Sequence, residues 1–105
     1  MKYYELYVEC YSLDKPKYTL KEVTVVKETP KQLQLSGTTS YIHRFSKTDI
    51  LKVIERSYYK YIIFPEGKEA EAHKLMAEMI EREVAYHDKK LKAYKQLLKE
   101  VSNNG

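Results

Sequence analysis

The fold of this chain is decided by residues 68–104, which read KEAEAHKLMAEMIEREVAYHDKKLKAYKQLLKEVSNN. The stretch holds no Gly or Pro, and its apolar residues recur in steps of three and four, which predicts one continuous helix from about Lys68 to about Val101. At 1.5 Å per residue such a helix reaches roughly 50 Å, whereas a compact domain built from the preceding residues is about 25 Å across. We therefore expect the first half of the helix to pack on that domain and the second half to project.

The projecting half carries a heptad pattern. From Val84 onward the apolar or seam-sized side chains alternate in steps of three and four, as in a coiled coil, after one phase shift near Ile80. Soluble monomers rarely expose such a stripe, so we expect a homodimer or a higher oligomer. A fold-back after Tyr86 is the alternative, although no Gly or Pro follows to drive it. The predicted oligomer interface comprises Val84, His87, Leu91, Tyr94, Leu98 and Val101.

The preceding residues, 1–66, predict an antiparallel β domain. Strands are indicated by alternating or β-branched runs at 3–11, 18–28, 31–36, 41–45 and 58–64. Ser46 is a suitable N-cap for a short helix near 47–55, and Gly37 suits the positive φ of a hairpin loop. The order predicts an α+β fold: a small antiparallel sheet or half-open barrel of four or five strands, then one long C-terminal helix over 67–105.

The alternation also predicts which side chains are buried. The first strand places Tyr4, Leu6, Val8 and Cys10 on one apolar face, so Cys10 is expected to be a buried and inert thiol. Its other face, with Tyr3, Tyr7 and Tyr11, is expected to point outward. The second strand loses its alternation near Glu22, which indicates a bulge. Near the fourth strand, Tyr41, His43 and Phe45 are expected to share a face.

The charge is modest overall and uneven along the chain. The net charge is +4, but residues 66–83 carry three basic and six acidic residues, and residues 84–105 carry five basic and two acidic ones. Acid at the start of a helix and base at its end match the helix dipole, so a solvated helix is one reading and an anion-binding surface is the other. The candidate residues for an anionic partner are Lys89, Lys92, Lys95, Lys99, Lys60 and Arg56.

The tyrosines allow a similar pair of interpretations. The chain has eleven tyrosines, nine of them in the predicted β domain, notably Tyr3, Tyr7, Tyr58, Tyr59 and Tyr61, among lysines and Arg56. Outward-facing rings beside basic side chains could stack nucleic-acid bases, as in single-strand binders. Alternatively, cross-strand tyrosines stabilise the sheet itself or receive the helix.

No pattern in the sequence indicates catalysis, a metal or a cofactor. His73 and His87 each follow a glutamate by four residues, but they lie about 21 Å apart on one helix, so helix-stabilising Glu–His pairs are the simpler interpretation. Cys10 is the single cysteine, which excludes an intrachain disulfide, and neither a signal peptide nor a membrane span is indicated. We expect a non-enzymatic protein of the cytoplasm.

Two segments of the sequence carry a resemblance to a class of known proteins. They are Thr29-Pro30-Lys31-Gln32-Leu33-Gln34-Leu35-Ser36-Gly37 and Arg44-Phe45-Ser46-Lys47-Thr48-Asp49-Ile50. With the aromatic strand and the Lys/Glu-rich heptad helix that follow, the layout resembles small accessory proteins of bacteriophages and mobile elements in low-GC Gram-positive bacteria. The resemblance covers most of the chain, and no functional residue carries over from it.

The resemblance implies a function by contact. Some proteins of this kind, anti-CRISPR inhibitors among them, act by binding host machinery. The expected function is therefore a binding protein that contacts another macromolecule, as a phage-encoded modulator or inhibitor of a host protein. The alternative is a nucleic-acid-binding accessory protein that uses the lysine-rich helix and the Tyr/Lys face of the sheet.

Overall fold

The computed structural model describes residues 1–10 and 15–104, so the predicted position of Tyr11 lies outside the described residues. The chain forms an α+β fold, as predicted, in which one sheet is followed by one long helix. Within the described residues the sheet has six strands rather than four or five. The elements are β1 (Tyr3–Glu9), β2 (Lys17–Glu28), β3 (Gln32–Ser36), β4 (Arg44–Ser46), a 3₁₀ turn (Lys47–Asp49), β5 (Ile54–Glu55), β6 (Tyr59–Pro65) and α1 (Glu69–Asn104).

The strands pair antiparallel in the order β4-β3-β2-β1-β6-β5. The first half of β2 pairs with β1 and its second half pairs with β3, and the register shifts between Val25 and Lys27. The bulge predicted near Glu22 is therefore wrong in position, because Glu22 pairs regularly with Tyr4. A bulge bends and twists its strand, and here it lies where β2 passes between its two partners. The sheet consequently curls into a half-barrel.

Both faces of the central strand β1 are buried. On one face, Leu6 packs under the helix with the apolar residues Ile62, Phe64, Ala72 and Met76. The other face is closed by the curled sheet, whose buried residues are Tyr3, Tyr7, Val23, Leu33, Leu35, Phe45, Tyr61 and Ile63. The outward orientation predicted for Tyr3 and Tyr7 is therefore wrong: their face is the inside of the half-barrel.

The segment after β4 differs from the predicted helix. Ser46 does act as an N-cap, since its hydroxyl accepts a hydrogen bond from the Thr48 backbone N–H at 3.4 Å. The helical part is only the 3₁₀ turn, and it ends before Leu51, which has a φ of 61° and whose N–H donates to the carbonyl oxygen of Ile63 at 3.0 Å. Residues Ile54–Glu55 then pair with β6.

Two other burial predictions are corrected. Cys10 is exposed, because it lies beyond the last residue of β1 and outside both cores. Of the three residues expected to share a face before Ser46, only Phe45 is buried, while Tyr41 and His43 are exposed. Tyr41 has a φ of 59°, so the chain turns there and the extended alternation does not begin until Arg44. Gly37 has the predicted positive φ, at 82°.

The helix α1 is continuous and extends well past the sheet. Ala72 and Met76 are buried against the sheet, and His73 Nε2 lies 2.7 Å from the Tyr18 hydroxyl of β2. The last ion pair between helix and sheet joins Glu83 Oε1 to Lys60 Nζ at 3.7 Å. From Val84 onward the described side chains are exposed, and the molecule measures 62 × 24 × 22 Å.

Candidate interaction surface

The most unusual surface of the molecule is the apolar side of α1 beyond the sheet, which we call the distal face. All six side chains of the predicted interface are exposed on it, and its large apolar residues each expose more than half of their surface. Their steps of three and four keep them on one side of the helix. The distal face is formed by Val84, His87, Leu91, Tyr94, Leu98 and Val101.

The distal face continues the side of the helix that packs on the sheet. Tyr94 follows the buried Met76 by eighteen residues, and Leu97 follows the half-buried Met79 by the same interval. Eighteen residues make about five complete turns of an α-helix, so each pair points the same way. The apolar side thus runs along the whole helix, and the sheet covers only its first part.

The structure adds residues that the heptad pattern did not select. A shallow depression beside the seam is lined by Tyr86, Lys89, Lys90, Ala93, Tyr94 and Leu97. Lys90 Nζ lies 5.9 Å from the centre of the Tyr94 ring, within the range of a cation–π contact. Tyr86, Lys90, Ala93 and Leu97 also recur in steps of four, three and four. That spacing marks a second row beside the seam, in which Tyr86 and Leu97 are the large apolar residues.

Glu83 lies at the boundary between the covered and the exposed parts of the helix. Its carboxylate contacts Lys60 of β6, and it also lies 3.3 Å from Nε2 of His87, the next turn along. His87 is therefore held by a glutamate on its own helix, as its spacing predicted. His73 is not paired with the Glu69 side chain: its Nδ1 donates to the Glu69 carbonyl oxygen at 2.8 Å.

The residues proposed for an anionic partner fall into two separate places. Lys89, Lys92 and Lys99 are exposed on the side of α1 away from the distal face, Lys95 is exposed at the edge of that face, and Lys92 pairs with Asp88 at 3.2 Å. Lys60 instead lies on β6 with only 18% of its side chain exposed, against Glu83. Arg56 is exposed and donates to the carbonyl oxygen of Glu55 at 2.9 Å.

The sheet does not present the predicted row of stacking tyrosines. Tyr3, Tyr7 and Tyr61 are buried within the half-barrel, and burial raises the pKa of both Tyr7 and Tyr61. Tyr59 is half-buried, with its ring centre 5.5 Å from that of Tyr7 and 6.3 Å from that of Tyr61. These rings pack on one another, so they are part of the hydrophobic core of the half-barrel.

Across the described residues, no three His, Cys, Asp or Glu side chains form a group that could hold a metal ion. The described part of the chain contains no helix that is both long enough and apolar enough to cross a membrane. In comparisons with known proteins, no family model, no curated protein and no solved structure matches this chain.

Proposed function

We propose that this chain is a non-enzymatic cytosolic protein that acts by contact with another protein, through the distal face of its helix. The observation that carries the proposal is the apolar side of α1, which passes from a buried position on the sheet to an exposed one beyond Glu83. A phage-encoded modulator of a host protein, in the manner of anti-CRISPR inhibitors, is the setting that the resemblance supplies.

The exposed apolar residues are sufficient to support association. Burying a leucine or valine side chain contributes about 1.5–3 kcal/mol, and the distal face offers several of them in a row. Tyr94 and Tyr86 add rings with a polar end, a residue type that is enriched at protein interfaces. An amphipathic helix of this kind is suited to bind a second helix or an apolar groove.

Nucleic-acid binding is the second candidate, and the four exposed lysines Lys89, Lys92, Lys95 and Lys99 of the projecting helix favour it. They place several positive charges along one side of a helix about 30 Å long, which is a suitable arrangement for contacts to phosphates. The burial of Tyr3, Tyr7 and Tyr61 removes these three rings from any stacking surface. The modest net charge of +4 is also below what a dedicated nucleic-acid binder carries.

An affinity capture from host lysate separates the two functions. Three full-length baits would be compared with and without nuclease: the wild type, the Leu91→Glu Leu98→Glu variant, and the Lys92→Glu Lys99→Glu variant. Protein contact through the distal face predicts a protein that is retained after nuclease treatment and lost with the leucine variant only. Recovery of nucleic acid that is lost with the lysine variant, and released as salt rises, would contradict the proposal.

A further inference from the structure

We propose that the partner of the distal face is a second copy of this chain, paired antiparallel so that Leu91 of each copy packs against the partner's Tyr94. The pairing rests on the proposed function, because it assigns the distal face to a second copy of the chain, so that capture of a further protein would depend on the dimer that this face forms. It is supported by the order of the seam side chains, by the charges beside the seam, and by the position of the sheet.

The seam side chains match best in the antiparallel direction. The first position of each heptad is occupied by Val84, Leu91 and Leu98, and the fourth by His87, Tyr94 and Val101. In an antiparallel pair the first position of one helix faces the fourth position of the other, because the two seams run in opposite senses. From the end inward, the layers are then Val84 with the partner's Val101, His87 with the partner's Leu98, and Leu91 with the partner's Tyr94.

A parallel pair would bring identical residues together. His87 would then face the partner's His87, and Tyr94 would face the partner's Tyr94, so two layers would set polar groups against each other. In the antiparallel pair each imidazole and each phenol ring meets a leucine. The small valines meet at the two ends and the large side chains meet in the middle, so each layer contains side chains of compatible size.

The charges beside the seam favour the same direction. Asp88 and Lys95 flank the seam on one side, while Glu83 and Lys90 flank it on the other, and all four are charged groups near the boundary of the proposed interface. Antiparallel pairing sets Asp88 beside the partner's Lys95, twice by symmetry. Parallel pairing would instead set Glu83 beside the partner's Asp88, and Lys90 beside the partner's Lys95. Each contact is weak, but opposite charges attract in one arrangement and like charges repel in the other.

The sheet also obstructs a parallel partner. Because the distal face continues the side that carries Ala72 and Met76, a parallel partner helix would run directly into the space that the sheet occupies. In the antiparallel pair the partner's Val101 reaches Val84, which is the first turn beyond the Glu83–Lys60 contact. The two sheets then lie at opposite ends of the paired helices.

Charge substitutions distinguish the two directions, and sedimentation equilibrium of the full chain at low salt measures their effect. Asp88→Lys and Lys95→Asp each turn the antiparallel contacts into repulsive ones, so each single variant should weaken dimerisation by about tenfold. The double variant restores opposite charges and should return to within about threefold of the wild type. Lys99→Asp is the matched control, since it makes the same charge change away from the seam. Circular dichroism would verify that each variant keeps its helix.

Two outcomes would overturn the pairing. Tighter dimerisation of both single variants would indicate a parallel pair, because each substitution creates opposite charges in that arrangement. A wild-type monomer at all accessible concentrations would exclude self-pairing altogether. In that case, capture of a different protein that depends on Leu91 and Leu98 would still support the proposed function. If no protein is captured either, the self-pairing and the proposed function are both contradicted.

Discussion

At the scale of single residues, Glu5 combines a charged group with complete burial, and among the described residues no other polar or charged side chain is buried. Its side chain is fully buried on β1, inside the half-barrel. The carboxylate accepts hydrogen bonds from the backbone N–H groups of Thr39 and Ser40, at 2.7 and 3.2 Å, and from the Ser40 hydroxyl. A buried carboxylate is costly unless it is hydrogen-bonded, so Glu5 and the loop after Gly37 depend on each other.

Replacing Glu5 with glutamine should therefore destabilise the fold. The amide keeps the shape but supplies one acceptor oxygen where the loop offers three donors, so we expect a loss of about 2–3 kcal/mol in the free energy of unfolding. Ser40→Ala, which removes one donor and leaves the charge in place, should cost about 1 kcal/mol. Urea unfolding of both variants provides the measurement. A glutamine variant within about 0.5 kcal/mol of the wild type would refute this role of Glu5.

The buried tyrosines predict sensitivity to alkaline conditions. Burial raises the pKa of Tyr7 and Tyr61 above the ordinary value of 10.0, and the Tyr7 hydroxyl also donates to Glu9. The folded state therefore holds these protons more tightly than the unfolded chain does. Their stabilisation is fully present below pH 10 and is lost as the pH rises beyond it, because the unfolded chain then gains stability by ionising.

Tyr7→Phe should reduce this pH dependence. The variant loses its bond to Glu9 at every pH, but its free energy of unfolding should fall less between pH 9 and pH 11 than that of the wild type. Unfolding curves at the two pH values give the comparison, and tyrosinate absorbance follows the ionisation itself. Tyr41→Phe is the matched control, because it removes the hydroxyl of a tyrosine that is 85% exposed. Equal slopes for Tyr7→Phe and wild type would contradict the assignment.

The wrong predictions for Tyr3 and Tyr7 share one physical cause. Alternation along residues 3–9 correctly separated the two faces of β1, but it could not show that both faces are buried. Tyr3 and Tyr7 look like surface residues beside Glu5, and only the curl of β2 at Val25 to Lys27 encloses them. Such closure depends on contacts between distant strands, and local sequence does not report those contacts.

At the scale of elements, the long helix was predictable and the short one was not. An uninterrupted run of some thirty-seven residues without Gly or Pro has few alternatives to a helix. The segment near 47–55 is too short to be stable as an isolated helix, so its tertiary surroundings decide its structure. Instead of continuing as a helix, the segment forms the edge strand β5, in which Ile54 pairs with Tyr61 of β6.

The two parts of α1 should respond differently to truncation of an apolar side chain. Met76 is buried against the sheet, so Met76→Ala should cost about 2–4 kcal/mol of stability. Leu98 is 65% exposed, and Leu98→Ala should change the stability of the dilute monomer by less than about 0.5 kcal/mol. Urea unfolding at low protein concentration, followed by tyrosine fluorescence, makes the comparison. Equal costs would show that the helix packs along its whole length in solution.

At the scale of the whole molecule, the sheet and the projecting part of the helix have different roles. The half-barrel and the first turns of α1 form the two hydrophobic cores, whereas the remainder of the helix carries an apolar side that is exposed beyond the sheet. The seam itself was visible in the sequence, since its period of three and four needs no tertiary information. Its second row, with Tyr86 and Leu97, became clear only when the helix was shown to leave the sheet near Glu83.

The proposed pairing predicts a particular length in solution. The monomer is 62 Å long, and antiparallel overlap of the helices beyond Glu83 gives a dimer of roughly 90 Å with one sheet at each end. A parallel dimer would keep nearly the monomer length and become thicker. Small-angle X-ray scattering at dimer concentrations should therefore show a maximum dimension near the longer value, with mass density concentrated towards the ends. The Leu91→Glu Leu98→Glu variant should return the particle to the monomer length, because charged side chains at the centre of the seam cannot be buried without partners.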